Sequence, residues 1–147
     1  MNVADIISKS AVLDNVQASN KRELIQSLAE KMASISGLDE RTIFDAVWER
    51  ENLGSTGYGE GVAFPHARIE GLTKVCGMFA RLDDAVDFDA IDGKKVDLVF
   101  LLVSPENSGA DHLTALASLS RILKTEGSCE KLRKARTVDE LYAILNA

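Results

Sequence analysis

The sequence predicts an α/β fold, a three-layer α/β/α sandwich with helices on both sides of a mixed central sheet, and three features carry that expectation. Over 147 residues the hydrophobic pattern switches several times between helical and strand periods. Asn20 and Glu23, and again Thr137 and Glu140, stand at the spacing of a capping box just ahead of a helical stripe. The run Leu98-Val99-Phe100-Leu101-Leu102-Val103 is apolar without alternation, as suits a strand covered on both faces.

Taken in order, the first helix follows Asn20. Leu24, Ile25, Leu28 and Met32 line one face of it, and it ends near Gly37. Asp39 is placed to cap a second helix with Ile43, Phe44, Val47 and Trp48 inside, which puts Arg50 near its C-terminal end. The chain then breaks into a glycine-rich loop, Gly54-Ser55-Thr56-Gly57-Tyr58-Gly59-Glu60-Gly61. Val62-Ala63-Phe64 reads as a short strand. Pro65 pushes Phe64 out of the helical region and removes a ladder donor, so His66 falls at a strand edge or end. Val75–Leu82 and Val96–Val103 are further strands, the second the central one, and Ser104–Ala110 is a loop. Leu113, Leu116, Leu119, Ile122 and Leu123 give a helical stripe with His112 in its first turn, ended by Gly127. A short helix over Cys129–Ala135 and a last one opened by Thr137 complete a single domain spanning 1–147.

A formal charge of −6 and the lack of any Lys/Arg cluster argue against nucleic acid as a partner, since affinity for a phosphate backbone comes from clustered cations. The longest apolar run is far short of the roughly 20 residues that span a bilayer, and Asp5 interrupts any leader-like stretch, so a cytoplasmic chain without membrane insertion is expected. Cys76 and Cys129 lack the spacing of a redox or zinc pair and read as reduced thiols.

Two histidines occur, both where an element meets a loop. His66 follows Arg50, Ser55, Thr56 and the glycines closely enough for all to fold onto one pocket. Glycines let backbone N–H groups converge, hydroxyls donate to phosphate oxygens, and a guanidinium matches them with a planar fork. The same glycines also suit a plain flexible turn. Walker A and dinucleotide loops are excluded by pattern, because no Lys-Ser/Thr follows the last glycine and the loop leads into a strand rather than a helix. No Gly-x-Ser-x-Gly elbow or zinc-ligand spacing is found, so neither a metal nor a cofactor is expected.

From Arg50 through Ser55-Thr56-Gly57 and Gly61-Val62-Ala63-Phe64-Pro65-His66 to Ile69, the chain resembles the fructose/mannitol-type EIIA domains of the bacterial phosphoenolpyruvate-dependent sugar phosphotransferase system, with the stand-alone nitrogen-regulatory EIIA proteins the nearest in kind. Ala67, where Gly is usual, and Tyr58, where an aliphatic residue is usual, depart from the pattern. The resemblance implies a phosphohistidine at His66, a second active-site histidine at His112, and Arg50 holding the phosphoryl group. Ser55 and Thr56 are expected to bind phosphate, and Arg68 is a further basic candidate two residues past the nucleophile. The implied partners are an HPr- or NPr-like phosphoryl donor and regulatory target proteins. Two other readings are an EIIA subunit that passes phosphate to EIIB of a sugar permease, and a non-catalytic module that only binds an anion.

Overall fold

Strand β6 (Val96–Pro105) is the axis around which the molecule is built. In the computed structural model, which describes residues 1–147, its inner residues from Leu98 to Ser104 are all buried. A strand this apolar must be covered on both faces and paired on both edges, and it is. On one edge β5 (Cys76–Val86) runs antiparallel, with Phe79 opposite Phe100. On the other, β3 (Val62–Ala63) and β4 (His66–Ile69) follow one another in parallel, Val62 opposite Leu98 and His66 opposite Leu102. The outer strands are β1 (Val12–Val16), parallel to β5, and β2 (Gly57–Gly59), antiparallel to β3.

Helices α2 (Lys21–Ser36) and α3 (Glu40–Leu53) pack on each other against one face. The opposite face carries α4 (Ala110–Lys124), α5 (Ser128–Lys134) and α6 (Val138–Leu145), with the short α1 (Val3–Ile6) beside α4. The result is the expected sandwich around a mixed sheet, with 39 buried apolar residues forming one continuous core. No helix is long and apolar enough to cross a membrane.

The expected caps form, with a twist. Asn20 Oδ1 accepts the Glu23 N–H at 2.9 Å, and Thr137 Oγ1 accepts that of Glu140 at 3.1 Å. The return bonds reach one residue further back: Glu23 takes the N–H of Ser19 and Glu140 that of Arg136. Asp39 caps α3 through Thr42, and Gly37, at φ 78°, closes α2 in the left-handed conformation.

Four expectations are corrected. Ser104 and Pro105 belong to β6 rather than to a loop, and the glycine-rich stretch is partly the β2–β3 hairpin. Helix α4 ends at Lys124, leaving Gly127, at φ 80°, to open α5. The buried line of α4 runs through His112, Ala115, Ser118, Leu119 and Ile122, while Leu113 is 65% exposed. The helix is rolled because His112 has a partner on the sheet, described next.

Candidate active site

His66 is the first residue of β4, and the residues just before it set its chemistry. Pro65 has no N–H to give, and its carbonyl takes the Leu102 N–H at 3.1 Å, which fixes the turn into β4. The imidazole then folds back so that Nδ1 lies 2.8 Å from the Phe64 carbonyl oxygen. A carbonyl only accepts, so Nδ1 carries the proton and Nε2 keeps its lone pair. Burial holds the His66 imidazole below its ordinary pKa; the Phe64 carbonyl opposes this, while the nearby Arg50 cation reinforces it.

Helix α4 brings His112 alongside, with ring centroids 5.5 Å apart and planes inclined by 49°. Only 5% exposed, His112 places Nδ1 2.7 Å from the hydroxyl of Ser104. Burial pushes its pKa down to about 4, with the neighbouring His66 and Arg68 acting in the same sense. At neutral pH both rings are therefore uncharged.

Arg50 comes from the last turn of α3, where Nη1 donates to the carbonyl of Gly54 at 3.0 Å. That single bond anchors the side chain and leaves most of its five donors free. An open cleft of about 410 Å³ is lined by Arg50, His66, His112 and Arg68, with Glu49 and Leu53 on the α3 side. The structure thus gathers four of the six residues singled out in the sequence.

Ser55 and Thr56 do not line this cleft. The Ser55 hydroxyl donates to the Phe88 carbonyl at 2.7 Å and accepts the Gly57 N–H at 3.0 Å. Thr56 gives its N–H to both oxygens of Glu51, at 3.1 and 3.2 Å, and its hydroxyl to the same carboxylate. The loop does hold an anion, but the anion is Glu51. That carboxylate is fully buried and is paired with Lys21 Nζ at 2.8 Å, so it is an internal strut. Both hydroxyls are thus engaged inward, whereas the sequence reading has them donate to phosphate.

Sequence reasoning missed the Phe64 carbonyl, Ser104 and the Lys21–Glu51 pair. A signal existed for Ser104: a hydroxyl directly after six apolar residues and directly before a proline. For Glu51, beside Arg50 on a charged helix end, there was none.

The arrangement is a neutral imidazole with one free nitrogen, flanked by two guanidinium groups and a second neutral imidazole, suited to taking up a phosphoryl group. Comparison with known proteins agrees. Residues 5–147 match the family described as phosphoenolpyruvate-dependent sugar phosphotransferase system, EIIA 2. The chain is 43% identical over 145 residues to the nitrogen regulatory protein of Bradyrhizobium diazoefficiens, covering 99% of this chain and 95% of that one. It is 36% identical over 146 residues to the nitrogen regulatory protein of Pseudomonas aeruginosa, with 99% and 95% covered. Among solved structures, the nitrogen regulatory protein IIA-Ntr of Neisseria meningitidis superposes with a TM-score of 0.92 at 34% identity, covering 97% of this chain and 98% of that one. The chain therefore belongs to the EIIA 2 family of the phosphoenolpyruvate-dependent phosphotransferase system, on its nitrogen-regulatory side.

Proposed function

We propose that this chain is a phosphocarrier of the nitrogen-regulatory phosphotransferase system in which His66 Nε2 is the phosphorylated atom. Family members are phosphotransferases that exchange a phosphoryl group with donor and acceptor proteins. The observation that carries the assignment to His66 is the bond from Nδ1–H to the Phe64 carbonyl, which leaves Nε2 as the ring's one nucleophile beside Arg50.

In the forward step the Nε2 lone pair attacks the phosphorus of a phosphohistidine on an HPr- or NPr-like donor. A phosphorus–nitrogen bond forms to His66 as the one to the donor breaks, and that electron pair returns to the donor ring. No general base is needed, because His66 is already neutral. The demands left are alignment and positive charge around three oxygens. Arg50 supplies a full charge through its free donors, His112 a hydrogen bond, and Arg68 a second charge at the exposed rim. Ser55 and Thr56 act one step removed, by holding the turn that follows Arg50.

With the phosphoryl group in place, up to two negative charges are added to the cleft, and cytoplasmic target proteins distinguish the two forms by charge.

Intact mass tests the assignment after incubation with phosphoenolpyruvate, Enzyme I and an HPr-like carrier. One phosphoryl group, labile to acid and stable to base, is expected on the wild type and on His112→Ala, and none on His66→Ala. Phosphorylation of His66→Ala, or none on the wild type with a carrier active on a control EIIA, sinks it.

A further inference from the structure

The two histidines make different kinds of hydrogen bond at Nδ1, and the difference assigns a role to a residue outside the cleft. We infer that Ser104 is a positioning residue that locks His112 in the tautomer with the proton on Nε2, so that an N–H donor faces the phosphoryl group on His66. The inference rests on the phosphocarrier reading for its functional half only.

Strand β6 sets the geometry. Leu102 is opposite His66 in the sheet, and Ser104, two residues on, projects from the same face, where the first turn of α4 lies over it. Ser104 is fully buried and His112 nearly so. The one hydrogen-bond partner of the Ser104 side chain is His112 Nδ1, at 2.7 Å. A hydroxyl has one proton to give, and a dry site must find an acceptor for it. Were the imidazole proton on Nδ1, it would point at the Ser104 oxygen and leave the serine proton with no acceptor. With the proton on Nε2, Nδ1 accepts from Ser104 and both groups are satisfied.

At His66 the partner is a carbonyl, which forces the opposite tautomer. One ring thus offers a bare Nε2 and its neighbour an Nε2–H, at a centroid separation of 5.5 Å. Nucleophile and donor coexist with neither ring charged, and no proton moves when the phosphorus–nitrogen bond forms. In the other tautomer, His112 would turn a lone pair toward the phosphoryl oxygens.

The test reads ring nitrogens directly. In ¹⁵N-labelled protein at neutral pH, two- and three-bond proton–nitrogen correlations should show Nε2 of His112 protonated and Nδ1 bare, with the reverse pattern at His66. Ser104→Ala should shift the His112 nitrogens toward an average of the two tautomers. It should also lower the maximal rate of phosphoryl uptake about five- to tenfold, the worth of one neutral hydrogen bond. The donor concentration giving half that rate should stay the same. Ser104→Thr, which keeps the hydroxyl, should restore the spectrum and the rate together. A proton on Nδ1 of His112 in the wild type overturns the inference, as does a Ser104→Ala protein that keeps both the wild-type ring pattern and the wild-type rate. The spectrum is taken before phosphorylation, so it decides the tautomer even if phosphorylation fails; that failure strikes the phosphocarrier reading instead.

Discussion

Replacing Glu51 with alanine should destabilise this protein more than any other change of a charged residue near the cleft. The carboxylate has no exposed side-chain surface and receives three donors: the Lys21 ammonium, and the N–H and hydroxyl of Thr56. Lys21 is itself held under cover, its side chain 14% exposed and its Nζ 4.6 Å from the centroid of the Phe88 ring. Removing the carboxylate leaves the Lys21 charge with only the exposed Asp89 carboxylate, 3.8 Å away, at a cost of about 3–5 kcal/mol. A domain of this size has a stability on the order of 10 kcal/mol, so the variant stays folded but marginal. In urea, where the slope is about 2 kcal/mol per molar, the unfolding midpoint should fall by about 2 M. Glu51→Gln, which keeps an acceptor for Thr56 but loses the charge, should lie between wild type and alanine. Lys21→Met combined with Glu51→Gln should lose clearly less than the two single changes added, because neither charge is then stranded. A loss below about 1 kcal/mol for Glu51→Ala, or strict additivity in the double variant, would refute the buried-strut argument.

Arg50→Ala should slow single-turnover phosphoryl uptake by about two to three orders of magnitude, the typical effect of losing one preorganised donor of about 2.7–4 kcal/mol, and a rate within threefold of wild type would deny Arg50 its role. His112 should make stability depend on pH. Its folded pKa is about 4 against an unfolded value of 6.5, so between these values the unfolded chain binds the extra proton and stability falls as pH falls. From pH 7 to pH 5 His112's share of the loss is about 2 kcal/mol, and His112→Gln should remove that share, leaving a smaller fall due to His66, when the two proteins' urea midpoints are compared. Gly57→Ala places a Cβ 2.7 Å from Cα and Cβ of Ala90, so the Phe88–Asp92 loop must move, and a loss of about 1–3 kcal/mol is expected by thermal or urea unfolding.

What the sequence disclosed follows the strength of its local signals. Helices α2 and α3 were legible because cap, stripe and terminator agree, and β6 because six consecutive apolar residues admit few other readings. Strand β2 was not, being three residues long, because Gly-Tyr-Gly has no apolar alternation, whereas β3 was legible and is one residue shorter than Val62-Ala63-Phe64. Strand β1 is an outer strand with Asn15 at φ 56°, a conformation its pattern does not announce. The roll of α4 was hidden for a different reason. Five leucine and isoleucine positions define more than one apolar face, and a polar bond from His112 to Ser104 selects between them. At the site, chain proximity correctly grouped His66 with Arg50, but nearness alone cannot show which way a hydroxyl points. Ser55 and Thr56 turn inward because Glu51 and the Phe88 carbonyl need their protons, and both acceptors are buried only once the sheet has formed.

The neutrality of both imidazoles also bears on how a carrier of this kind signals. At rest the fixed charges lining the cleft are Arg50 and Arg68 against Glu49, two cations to one anion. A phosphoryl group carries about −1.5 to −2, enough to invert the sign of that surface. If both histidines were protonated, the resting cleft would hold two more positive charges, and the same group would weaken its charge without reversing it. Burial prevents this by holding the two pKa values below their ordinary range, and Arg50 and Arg68 add to the effect. On the proposed mechanism, the cations that would hold the phosphoryl group therefore also help keep the rings uncharged. Under that mechanism a target that meets this surface would encounter opposite signs before and after transfer, and a difference in sign discriminates between two states more sharply than a difference in magnitude.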